Sequence, residues 1–442
     1  MPEKDKNPVD ISTSSTTNNY ITRTNTEVDL VPENPKPDIQ EESKLPPLDK
    51  GYSWVIMFAC FINTIFGFGS FSAFGVFQTY YLKITFLNVP AETIAWISTL
   101  SIFFTDAGGL LAGPIIRRLG IRYTSILGTI VATTGLLLAS FSTKVWQLAL
   151  TQGLIFGLGC SIIVNIAYTV PAFWFDKHRG FAIGTVASGG SFGSLIIVPI
   201  VTNISNSHGI GWSFRVLAIL FFVATLVGGM LLKPRTEYKP VNKVIEFELL
   251  KDPVTIMICV ISFFAEIGFS VPMLYFPASL IDIGVKKDLA TNMIMVLSAF
   301  SATSRILSGY LAQRISAENI VIVSHFISGT IMMAMWYTSR SFGVYLAFYI
   351  LFGMFSIQFF SLGPVMIANY YDDDKISQVN GISYLAMGVA ILVGVPSIGA
   401  IFQKYGKRRD YSQIIAITSA CYLISIIFLV GLRYYVKKRK LS

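Results

Sequence analysis

The chain has 442 residues, 53% of them hydrophobic and only 13% charged, with a formal net charge of +9. Soluble domains carry roughly 25% charged residues, so this composition excludes a large soluble fold and points to an integral membrane protein. Nucleic-acid binding is excluded as well, because the basic residues fall in short clusters between apolar runs, as they do in cytoplasmic loops of membrane proteins.

Residues 1–50 are rich in Ser, Thr, Asn, Pro and charge ("ISTSSTTNNYITRTNTE", "ENPKPDIQEESKLPP") and are expected to be a disordered cytoplasmic tail, since they bury too little apolar surface to fold. No apolar run follows a basic start there, so no cleavable secretory signal is expected. Twelve stretches then reach the ~20 mostly apolar residues that a spanning helix needs: 54–80, 93–113, 124–142, 145–169, 180–203, 213–233, 253–276, 288–312, 318–338, 342–369, 379–402 and 411–435. The widest connection, "KPRTEYKPVNKVIEFELLKD" (233–252), carries Pro234 and Pro240 and falls after the sixth stretch. The predicted organisation is therefore a six-helix bundle over 51–233, a cytoplasmic linker over 234–252, a second bundle over 253–436 and a short basic tail over 437–442. The four cysteines, Cys60, Cys160, Cys259 and Cys421, all lie inside apolar runs and read as small hydrophobes rather than a disulfide frame.

Charge gives an orientation. Twelve spans put both termini on one side, and with that side cytoplasmic the inner loops hold Arg117, Arg118 and Arg122, then Lys177 and Arg179, then Lys233, Arg235, Lys239 and Lys243, and finally the basic C-terminal residues. The outer loops are poorer in basic residues, "KYGKRRD" (404–410) excepted, and the positive-inside bias places both termini in the cytoplasm.

The two halves echo one another. "GPIIRRLGIR" (113–122) follows the second helix and "GYLAQRISAEN" (309–319) follows the eighth; each has a Gly at the helix end, Gly113 or Gly309, and an Arg five residues on, Arg118 or Arg314. Paired six-helix repeats with matching loops suggest alternating access around a midplane site. Gly113, Arg117, Arg118, Gly120, Arg122, Gly309 and Arg314 are accordingly read as a gating motif.

Three intramembrane charges are candidates for chemistry. Asp106, in "TLSIFFTDAGGLLAGP", lies seven residues before Gly113, or ~10 Å from the cytoplasmic end at 1.5 Å per residue. Arg305 lies four residues before Gly309 in the corresponding helix, and Glu266 lies about midway along the seventh. Glu266 is the first choice for a proton-titrating group and Asp106 the second, although the small neighbours Gly108 and Gly109 favour an inter-half gate for Asp106. A planar guanidinium suits a carboxylate or another planar anionic edge, so Arg305 reads as the substrate anchor; the alternative is a salt bridge to Asp106 or Glu266 that only holds helices together. Asn63, Asn165, Tyr168, Tyr275 and Gln358 are further substrate-binding candidates, with interhelical hydrogen bonding as their alternative. The small-residue run Gly184, Ser188, Gly189, Gly190, Gly193 reads as packing. No phosphate-loop, zinc or triad pattern is present, so an enzyme, a metal and a cofactor are not expected.

Four stretches, in this order, resemble the major facilitator superfamily and, within it, the fungal branch of the monocarboxylate porter family. "LDKGYSWVIMFACF" (49–62) is similar to that family's acidic-Gly-aromatic-x-Trp start of the first helix, and "GPIIRRLGIR" to its version of the facilitator loop, where an Arg replaces the usual Asp. "WFDKHRGFAIGTVASGGSFG" (174–193) resembles the run into the fifth helix, and Arg305 in "SRILSGYLAQR" matches the arginine that the eighth helix of these porters turns to the substrate carboxylate. Animal members place a lysine late in the first helix, where Ser72 stands here, and an Asp one turn before the arginine, where Ser301 stands. Ser72 thereby joins the substrate-binding candidates, and the incomplete acid–base pair leaves room for a substrate other than lactate. Relatives in the fungal branch include a riboflavin carrier.

The resemblance implies a major facilitator fold of twelve transmembrane helices in two pseudo-symmetric bundles, all-α, acting as a secondary transporter of a small organic anion. A monocarboxylate comes first and a riboflavin-like planar substrate second, with transport proton-linked or facilitative. The expected partners are that substrate, protons and the lipid bilayer, with the chain a monomer in the plasma membrane, or else the vacuolar membrane. A transporter-like nutrient sensor is the rival of another class, and the short tails argue against it.

Overall fold

The structure, a computed structural model, describes residues 45–81, 85–235, 247–407 and 409–439. The expected tail up to residue 44, the centre of the linker and the end of the basic tail lie outside the described residues. The described helices belong to one compact unit, which begins at Pro46.

Lipid offers no partner to a bare amide or carbonyl, so an apolar run that crosses it must close its hydrogen bonds internally, as a helix does. Among the described residues, eleven helical stretches are long and apolar enough to cross a membrane. One of them, Trp96–Ala139, has 44 residues. At 1.5 Å per residue such a length is about 66 Å, twice the ~30 Å hydrocarbon core. Gly120 divides it: at φ 79° and ψ 164° it takes a conformation that only glycine adopts readily and turns the chain back. The stretch is thus two spans, and the twelve expected helices are present. They are α1 (Tyr52–Tyr80), α2 (91–119), α3 (121–139), α4 (Val145–Trp174), α5 (Arg179–His208), α6 (Ile210–Leu231), α7 (Pro253–Asp282), α8 (Lys287–Leu311), α9 (Ala317–Tyr337), α10 (Phe342–Tyr370), α11 (Asp373–Lys404) and α12 (Ser412–Arg439).

The loop expected at 113–122 is absent. After Ala107 the helix tightens into a 3-10 turn, Gly108–Leu111, and then runs on through Gly113 as far as Gly120. Gly113 is a helix-interior residue, and the reversal is confined to one glycine. α10 is interrupted between Phe355 and Gln358.

Helices α1–α6 and α7–α12 meet along two crossings, α5 with α8 and α2 with α11. At the first, Gly180 and Gly184 face Gly309 so closely that a Cβ on Gly184 would sit 2.6 Å from the Arg305 carbonyl, and one on Gly180 2.7 Å from the Gly309 carbonyl. Side chains longer than hydrogen would force the helices apart there. Polar contacts reinforce the same end of the molecule. Asn165 Nδ2 donates to the Ser377 carbonyl at 3.2 Å, Ser377 Oγ donates to Asn165 Oδ1 at 2.8 Å, and Arg179 Nη1 donates to the Ala368 carbonyl at 2.9 Å. Just before α1, the Asp49 carboxylate accepts the backbone amides of Asp176, Lys177 and His178, which fixes the α4–α5 turn. The end that bears the start of α1 and the end of α12 is therefore held shut.

Candidate functional site

Between the halves lies a cavity of about 220 Å³. Helical periodicity sets its walls: Glu266, Phe269, Ser270 and Met273 form one stripe of α7 at i, i+3, i+4, i+7, and Ser298, Ser301 and Arg305 form another on α8. The first half contributes Asp106 from α2, Tyr168 from α4 and Ser191 and Ser194 from α5. Ser191 and Ser301 hydrogen-bond across the two halves at 3.0 Å, and Ser72 bonds to Ser194 within the first half.

Arg305 sits at the centre of this polar surface. Its Nη1 donates to the Ala187 carbonyl of α5 at 2.7 Å, and the hydroxyl of Tyr168 lies against the guanidinium with Tyr384 beside it. Its buried Nε has no partner, and among the described residues no carboxylate pairs with it. Asp106 and Glu266 line the same cavity, each only 7% exposed. The Ser270 hydroxyl donates to Glu266 Oε1. Arg305 thus has donor capacity to spare in a cavity that two carboxyl groups also line.

The structure thus brings together five of the sequence-predicted residues, Arg305, Glu266, Asp106, Ser72 and Tyr168. The other four substrate candidates lie off the cavity. Asn63 is fully buried where α1 crosses Gly228 of α6. Asn165 is committed to Ser377 in the closed end, and Gln358 Nε2 to Ser304 Oγ and the Met354 carbonyl at the break in α10. Tyr275 meets Phe402 edge-on at 5.2 Å, more than two turns beyond Glu266 along α7. Asn165 and Gln358 thus serve neighbouring helices, whereas both side-chain polar atoms of Asn63 are buried without a hydrogen-bond partner among the described residues. The small-residue run of α5 serves two purposes: Gly189 and Gly193 press against α1, while Gly190 lines the cavity.

The predicted gating residues divide likewise. Gly309 sits in the α5–α8 crossing, Gly120 forms the turn, and Arg122 Nε donates to the Leu232 carbonyl at 3.3 Å within the first half. Arg117 and Arg118 are exposed just before the turn. Arg314 folds back on its own helix, 3.3 Å from the Tyr310 hydroxyl, and the symmetry read from the two loops does not extend to it. Six rings on the cavity were not singled out as a group: Phe68, Phe71, Phe269, Phe360 and Tyr384, with only Tyr168 anticipated. The stripe on α7 is a sequence signal that would have led to Phe269 alone.

A family model, Major Facilitator Superfamily, matches residues 56–357 and 258–442. An MFS transporter of Aspergillus flavus, asaE, is 29% identical over 381 residues, 86% of this chain and 86% of that one. The riboflavin transporter MCH5 of Saccharomyces cerevisiae is 25% identical over 433 residues, 90% of this chain and 82% of that one. Among solved structures, the proton:xylose symporter XylE superposes with a TM-score of 0.69 at 14% identity, covering 86% of this chain and 95% of that one, a likeness of fold alone. The chain is an all-helical membrane transporter and belongs to the major facilitator superfamily.

Proposed function

We propose that this protein is a secondary transporter of a small organic anion of the monocarboxylate class, working by alternating access with proton coupling. The observation that carries the reading is Arg305: a guanidinium in a cavity between two halves, with Nε unpartnered and, among the described residues, no carboxylate paired to it. Intramembrane cations are costly and mark substrate paths. Arg305 compensates its charge only when an anion arrives, and the planar fork matches a carboxylate. Asp106 and Glu266 supply the coupling. An anion placed beside two carboxylates is repelled, so anion and proton bind best together, with Glu266 as first acceptor and Asp106 as second. The α5–α8 glycine crossing and the Asn165–Ser377 contact close the end that bears the start of α1; with that end cytoplasmic, as the basic loops favour, the state described faces outward across the plasma membrane.

The likeness to the riboflavin transporter MCH5, together with the rings on the cavity wall, favours a flavin as the second reading. Titration of purified protein with monocarboxylates and with riboflavin, in the unmodified chain and in Arg305→Ala, separates them. Acid binding lost in the folded variant supports the first reading. Riboflavin binding that persists in Arg305→Ala, without acid binding in either protein, replaces it with the second.

A further inference from the structure

Resting on the anion reading of Arg305, we infer that the cargo is a flat aromatic carboxylate, gripped between two ring walls of which each half contributes one. The first wall is Phe68, Phe71 and Tyr168, on α1 and α4; the second is Phe269, Phe360 and Tyr384, on α7, α10 and α11. Within the first wall the centroids of Phe68 and Phe71 are 6.3 Å apart and those of Phe68 and Tyr168 6.2 Å apart. Within the second, Phe269 and Phe360 are 5.3 Å apart. The walls touch at one place, where Tyr168 and Tyr384 approach to 6.0 Å beside Arg305.

At the tyrosine pair the charged head of a substrate meets the guanidinium, and the four phenylalanines, all half-buried, line the same cavity. A three-carbon acid anchored on Arg305 reaches little of that volume and leaves the ring faces wet. A ring carried on the carboxylate lies among the phenylalanines, whose faces and edges suit offset or edge-to-face contacts. The walls are themselves backed by rings: Phe71 by Phe74 and Phe156 at 5.3 and 5.8 Å, Phe269 by Phe352 at 6.4 Å with planes 7° apart. The receiving surface is rigid before the substrate arrives, which lowers the cost of binding. Because the walls belong to opposite halves, a flat substrate joins them as it binds, whereas a small acid touches chiefly Arg305.

The test compares benzoate with cyclohexanecarboxylate, which share charge and carbon skeleton size and differ in the flat π face, by calorimetric titration of the purified full-length protein. Benzoate is expected to bind about tenfold more tightly. Phe71→Leu and Phe269→Leu are each expected to reduce that ratio to about threefold or less. The ratio in the unmodified protein decides the matter even where a variant does not fold. Equal affinities, both lost in Arg305→Ala, overturn the ring inference and leave the anion reading standing. Failure of both acids to bind, or binding indifferent to Arg305→Ala, overturns the anion reading and the inference with it.

Discussion

An arginine inside a membrane helix costs at least a few kcal/mol against lipid, and Arg305 offsets that cost only partly, through the Ala187 carbonyl and the Tyr168 hydroxyl. Arg305→Lys keeps the charge and loses the fork, and is expected to weaken substrate binding about tenfold or more with little change in thermal stability, read by titration beside a melting curve. Arg305→Ala should abolish binding and still yield folded protein, since no buried carboxylate is left stranded. Were the residue a structural ion pair, removal would cost roughly 3–5 kcal/mol and a second change at Asp106 or Glu266 would restore the fold. Glu266→Gln keeps the shape of the side chain and cannot titrate. It is expected to retain binding and exchange while losing accumulation driven by a proton gradient; unchanged acid-driven uptake in that variant would remove Glu266 from the coupling and leave Asp106. The charged members of the site are legible in the sequence because a charge inside an apolar run is rare. The aromatic members are not, since rings are spread over every helix of a chain that is 14% aromatic. Asn165 and Gln358 misled for a related reason, as buried amides in helix bundles serve neighbouring helices more readily than ligands.

At the scale of the element, two glycines shape the fold in ways that composition does not reveal. Gly120 holds φ 79° and ψ 164°, a region closed to other residues without about 1–3 kcal/mol of strain, so Gly120→Ala is expected to lower the melting temperature by several degrees while ligand affinity is kept. Gly309 permits the α5–α8 crossing. Gly309→Val places branched carbons against the Gly180 and Gly184 backbone and is expected to prevent the terminus-bearing end from closing. The expected result is transport lost and a cysteine placed at Gly180 more reactive to a water-soluble thiol reagent; transport at the unmodified rate would show that the crossing is not a gate. The apolar runs announced the helices themselves, because length and hydropathy are direct consequences of bilayer thickness. The run 113–122 misread as a loop because two glycines and three arginines resemble one, whereas backbone hydrogen bonding carries the helix through to Gly120 and concentrates the reversal there.

At the scale of the molecule, the twelve helices were legible in the spacing of the apolar runs, while the shut end was not, since closure depends on contacts between residues some two hundred positions apart, such as Asn165 with Ser377. The orientation rests on the basic loops. In a background lacking the four native cysteines, a membrane-impermeant thiol reagent added to intact cells is expected to label a cysteine at Ser207 and spare one at Lys177; the reverse pattern inverts the topology. The most direct test of the transport mechanism is uptake of a labelled monocarboxylate, benzoate first, by the purified protein in liposomes with the outside acidified, compared between the unmodified chain and Arg305→Ala. The predicted result is saturable uptake that is stimulated by the proton gradient in the unmodified chain and absent in a variant with a normal melting curve. Equal uptake by the folded variant, or a misfolded variant whose fold and transport return when Asp106 or Glu266 is also changed to Ala, would contradict an anion site at Arg305.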